Sequence, residues 1–335
     1  MEWLWPIPAA VAALTLGAVG IARFLLWDQV LMARLQIYMS ARRTREALPL
    51  AERLLDMLSR RRGSLHPDTA TARYTLGHLC FEHGHRARGA ELVREAAAAL
   101  ASHAATGDAG FAASLLNLAS AQRTIGDLEG ALESALAGAG LLARRHGALD
   151  PRVAGARGNT GVILNELGRP GEAATILEDV LQMCVRIHGR GSAEEGVALV
   201  NLAEARIRLG DFPAARSALD RAVGILGSVR AAPTAAGDEI GHAWAAYALL
   251  HETREEWEAA EDMRIRALAA FERALGTVHA EVAGQQEKLA AALDRLDRPT
   301  EAALARRRAV RIRAELLSGT DAPLSPPARE AAARG

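Results

Sequence analysis

Four side chains able to ligate a metal, His78, Cys80, His83 and His85, fall within eight residues. Zinc sites draw on these two residue types, so the cluster is the first place to look for chemistry. Its members straddle a turn at Gly84, and the reading adopted is exposed turn histidines around a small buried cysteine. The run His251-Glu252-Thr253-Arg254-Glu255 approaches a zinc-protease helix but lacks the second histidine one turn on. Lys288 follows Glu287, whereas a phosphate-cradling loop carries its lysine after a glycine. No Ser/His/Asp set can be picked out by spacing. No catalytic residue, metal ligand or cofactor is assigned, and an enzyme is not expected. A different series is periodic: Thr75, Asn117, Asn159, Asn201, Ala246 and Lys288, at intervals of 42, 42, 42, 45 and 42 residues. A primary amide offers both a donor and an acceptor. Such a row suits the peptide groups of a ligand, and equally the polar groups of neighbouring helices.

The same period runs through the elements that must position these side chains. Arg42, Gly84, Gly126, Gly168, Gly210, Glu255 and Asp297 lie 42, 42, 42, 42, 45 and 42 residues apart. Five residues after each comes a small one: Ala47, Gly89, Ala131, Ala173, Ala215, Ala260 and Ala302. Seven before, from the second copy on, stand Gly77, Ala119, Gly161, Ala203, Ala248 and Ala290. Small side chains let two antiparallel helix backbones approach closely. Each unit therefore reads as helix A, a tight turn at the marker, and helix B, stacked as a solenoid. Glycine at a marker supplies the left-handed backbone on which a helix C-terminus closes. Leu76, Leu118, Thr160, Leu202, Tyr247 and Leu289 place a mostly apolar stripe of helix A in the shared core. The first copy has Arg34 and Leu35 in its two helix A places, so six full units follow a leading helix or degenerate first repeat.

The segments Asn117-Leu118-Ala119 with Gly126-Asp127-Leu128, and Asn201-Leu202-Ala203 with Gly210-Asp211-Phe212-Pro213-Ala214-Ala215, resemble tetratricopeptide (TPR) repeats. The 42-residue interval and the runs His66-Pro67-Asp68-Thr69-Ala70 and Asp150-Pro151-Arg152-Val153-Ala154 are similar to the longer kinesin-light-chain type found in bacterial proteins. The resemblance covers roughly residues 42 to 317. It departs where the fifth interval gains three residues near Ser228 to Gly237, and where Gly89 replaces the usual alanine. It implies an all-α, right-handed superhelical solenoid whose concave face, lined by the A helices, binds peptides or partner proteins. It also implies that the asparagine row faces that groove. Thr75, Asn117, Asn159, Asn201 and Lys288 are accordingly the groove candidates, with Glu204 and Arg208 one and two turns further along helix A. Ser120, Val162, Thr124 and Glu166 join them in a lining of mixed character.

Composition fits. Half the residues are apolar but only 4% are aromatic, as helix packing through small side chains requires. Formal net charge is zero, so no global field draws in nucleic acid or anionic lipid. Arg306, Arg307, Arg308, Arg311 and Arg313 crowd the last helix, where a solenoid needs a polar outer face. No aromatic residue interleaves with them to stack on bases, so nucleic acid is not an expected partner. The two cysteines, Cys80 and Cys184, lie on different units, which suits a reducing compartment.

Residues 1–27 read differently. From Trp3 to Trp27 the single charge is Arg23, and tryptophans stand at both ends. A helix from Pro8 to Trp27 would span about 29 Å, close to the bilayer's hydrocarbon thickness. A cleaved signal peptide lacks its basic start, and a buried soluble helix is the other alternative. Arg34, Arg42, Arg43 and Arg45 follow the segment, placing what comes after on the cytoplasmic side by the positive-inside rule. The expected organisation is a membrane anchor at 1–27, leading helices at 28–64, six repeats at 65–317 and a disordered tail at 318–335. The expected function is a membrane-tethered scaffold or adaptor that holds partner segments in its groove. An accessory subunit of an envelope or secretion assembly and a peptide-binding sensor stand as alternatives.

Overall fold

The computed structural model describes residues 29–39, 44–104, 111–228 and 237–318. The segment 1–27 and the tail beyond Ser318 lie outside the described residues, as does Arg42. No described helix is long and apolar enough to cross a membrane.

Every described element is a helix. Helix α1 (29–39) and α2 (Thr44–Arg62) lead. Six antiparallel hairpins follow: α3 (Pro67–Glu82) with α4 (Arg86–Ala104), α5 (Phe111–Thr124) with α6 (Leu128–His146), and α7 (Pro151–Glu166) with α8 (Pro170–His188). The remaining three are α9 (Ala193–Arg208) with α10 (Phe212–Ser228), α11 (Glu239–Thr253) with α12 (Trp257–Leu275), and α13 (Ala280–Arg295) with α14 (Pro299–Ser318). Leu31 and Leu35 of α1 are buried against Ala47, Leu54 and Leu58 of α2, so the leading pair packs as a degenerate seventh hairpin.

The turns follow one rule. All six markers after Arg42 take positive φ: Gly84, Gly126, Gly168 and Gly210 between 74° and 85°, Glu255 at 61° and Asp297 at 56°. In each turn the next amide donates to the carbonyl five residues back. His85 to Cys80 is the shortest at 2.8 Å and Arg298 to Leu293 the longest at 3.0 Å. These bonds satisfy carbonyls that the end of helix A would otherwise leave open. Helices α7, α9 and α13 start on a side-chain cap: Asp150 Oδ1 accepts from the Arg152 amide at 2.9 Å, Ser192 Oγ from Glu195 at 3.2 Å, and His279 Nδ1 from Glu281 at 3.1 Å.

The small residues sit where the backbones meet. Ala47, Ala131, Ala173, Ala215, Ala260 and Ala302 are all fully buried. One core cluster runs from Ala119 of α5 through Leu132, Ile163 and Leu177 to Leu202 of α9, so neighbouring hairpins share a single interior. This is the stacked core of a solenoid, in which no unit buries its apolar face alone. Beyond sequential neighbours, α3 meets α5, and α9 meets both α7 and α11. Contact between alternate A helices makes them the crowded inner layer and gives the stack its concave face.

Candidate functional site

The candidate residues on the A helices differ in their surroundings from unit to unit. Thr75 spends its hydroxyl within its own helix, donating to the Thr71 carbonyl at 3.0 Å. Asn117 Nδ2 donates to Thr71 Oγ1 at 3.2 Å, tying α5 to α3, which is the structural role an amide in this row can take. Asn159 and Asn201 make no hydrogen bond among the described residues. Asn159 is exposed and lines a cavity of about 180 Å³ between α5 and α7, with Ser120, Arg123 and Val162. Arg123 bonds Glu166 at 2.6 Å across the same two helices. Ala246 is buried, so the row is interrupted at the fifth unit.

The second half of the face is charged. Glu204 is half-buried, and that burial pushes its carboxyl above the usual carboxylate range. Arg208, His242 and Lys288 pull it down and Glu166 adds to the rise. These groups come from α7, α9, α11 and α13, so Glu204 feels charges from three other A helices. Arg208 and Lys288 are exposed and in no ion pair among the described residues. His242 was not among the sequence candidates. It lies thirteen residues before its turn marker, beside Thr71, Val197 and Gly284 in the same register, and a periodic reading one turn further back would have found it.

The histidine cluster differs from expectation. His78 is exposed, 3.5 Å from Glu82, and Cys80 is fully buried. His83 is buried rather than exposed, at 2% of its surface. It ends α3 and lies by the start of α2. Burial lowers its pKa, with the backbone of Thr44 opposing and the charges of Arg45 and His85 adding. Its ring is therefore neutral packing between the leading pair and the first full hairpin. Among the described residues no group of three or more His, Cys, Asp or Glu is placed to hold a metal ion.

A tetratricopeptide-repeat family model matches residues 152–227. No curated protein matches the sequence. Among solved structures, the apo form of RapI is similar with a TM-score of 0.58 at 10% identity, covering 88% of this chain and 100% of that one. The Rap conjugation gene regulator of plasmid pLS20, in complex with the Phr* peptide, gives 0.59 at 13% identity, covering 92% and 79%. BtubC (BKLC) from P. vanneervenii gives 0.48 at 19% identity, covering 71% and 92%. The chain is an α-helical repeat solenoid. Residues 152–227, from α7 to α10, match the tetratricopeptide-repeat model, and the other hairpins repeat the same helix–turn–helix plan.

Proposed function

We propose that this chain is an interaction scaffold that holds an extended segment of a partner protein along its A helices. The observation carrying this reading is the state of Asn159 and Asn201: two amides on the concave face, unbonded within the fold, the first beside an open cavity. An amide pair of that kind bridges peptide groups without selecting their side chains. The pLS20 regulator, whose fold this chain shares, was solved with a peptide, which supports the same direction. The reading extends to a tether: residues 1–27 insert in the membrane, leave the repeats at its cytoplasmic face and raise the local concentration of bound partners.

The test is a displayed library of random peptides, panned against the wild type and re-assayed on the Asn159→Ala, Asn201→Ala double variant. Loss of two net hydrogen bonds should weaken the enriched peptides about tenfold or more. Unchanged affinity would move the binding surface to the outer face or the stack's ends, as in an assembly subunit. Membrane fractionation of the full chain against one lacking residues 1–27 tests the tether separately. Recovery of both in the soluble fraction removes it.

A further inference from the structure

The last helix touches the first full hairpin. Leu317, near the end of α14, packs on the turn of the first full hairpin: a Cβ built on Gly84 would stand 3.2 Å from Leu317 Cδ2. The Arg313 carbonyl oxygen lies 3.9 Å from the same point. Beside this contact Glu287 of α13 bonds Arg313, and the charge of Arg86 at the start of α4 reaches Glu287 as well. Five hairpin steps thus bring the end of α14 onto the turn between α3 and α4.

We propose that the solenoid is a latched ring, with its seam at Leu317 and Gly84 and an enclosed inner groove. A partner segment with a free end enters along the axis, whereas one flanked by folded domains enters when the seam parts. This rests on the groove reading for its consequence, but the seam can be tested without any ligand.

Asn159→Cys places a reporter thiol on the inner face. Cys80 and Cys184 are buried and their thiols pushed up by burial, so background reaction is slow. Labelling of the full chain is followed with N-ethylmaleimide and with a polyethylene-glycol maleimide of several kilodaltons. In the latched ring the small reagent reacts freely and the bulky one slowly. Leu317→Asp replaces the half-exposed side chain that lies on Gly84 with a charged one, and Arg86→Glu sets like charges together beside it. Each should raise the bulky reagent's rate roughly threefold to tenfold while leaving the small one's unchanged. Leu304→Asp, exposed on α14 away from the seam, should change neither. An unchanged bulky rate in both seam variants overturns the latch. So does a parallel rise in both reagents' rates, which marks loosened hairpins rather than an opened ring. Failure of the groove reading shows instead in the peptide affinities of the asparagine double variant.

Discussion

Gly77 and Gly89 oppose each other across the first full hairpin so closely that a Cβ on Gly89 would stand 2.9 Å from the Gly77 carbonyl oxygen. Every other unit has alanine in the Gly89 place, and this one cannot. Phe81 closes the other side, with ring carbons 3.3 Å from the same Cβ. Alanine in a helix interior normally gains up to about 1 kcal/mol over glycine. At Gly89 the clash is with backbone, and Gly89→Ala should instead destabilise by about 1–3 kcal/mol. Gly224 of α10 has open space around its Cβ, so Gly224→Ala should raise the melting temperature. Opposite signs in thermal denaturation check the pair.

Glu255 and Asp297 hold a left-handed backbone without being glycine. That conformation costs a side-chain-bearing residue about 1–2 kcal/mol, part of which glycine returns through its freer unfolded chain. Glu255→Gly and Asp297→Gly should each stabilise by about 0.5–1 kcal/mol. Glu255 should gain more, since aspartate tolerates this region better than glutamate. Denaturant midpoints of the two variants give the answer.

Arg264 is buried in α12, with both Nε and Nη2 at 2.8 Å from the Glu252 carboxylate and Nη1 3.2 Å from Gln285 Oε1. Removing the acid strands a buried cation. Glu252→Ala should cost on the order of 2–4 kcal/mol, reduced from the fully buried range because Glu252 is partly exposed. Arg264→Met combined with Glu252→Gln should cost less than Glu252→Ala alone. A double variant no more stable than the single one would remove the stranded charge as the cause.

Glu204 makes stability depend on pH. In the unfolded chain it ionises in the ordinary carboxylate range, and in the fold it keeps its proton to higher pH. Below the unfolded value both states are protonated and the residue is neutral to stability. As pH rises past that value the unfolded chain ionises first and is favoured, until the folded value is passed. Glu204→Gln should therefore melt above the wild type at neutral pH, with the gap closing near and below about pH 4.

The hairpins were legible in the sequence because their determinants are local. A left-handed turn residue, a small residue five places on and another seven places back each act within one unit. The turn position survives even where its glycine does not, as at Glu255 and Asp297. The burial of His83 was not legible, because it depends on how the degenerate α1–α2 pair leans on α3. The influence of Lys288 on Glu204, or the contact of Leu317 with Gly84, was further out of reach. Both depend on a superhelical pitch summed over several small interhelix rotations, and no residue encodes that sum. Of the groove candidates, Asn117 and Thr75 turned out bonded within the stack, while Asn159, Asn201, Arg208 and Lys288 remain available. The type of residue set what each can do, and its neighbour on the adjacent helix set what it does.

The contact between Leu317 and Gly84 makes the number of hairpins a measured quantity. A repeat array tolerates insertion or deletion of whole units, since each leans only on its neighbours. Here a chain one unit shorter would stack just as well and stop short of its first full hairpin, while one unit longer would overshoot it. The arithmetic of the array, and not any single side chain, decides whether α14 reaches that hairpin.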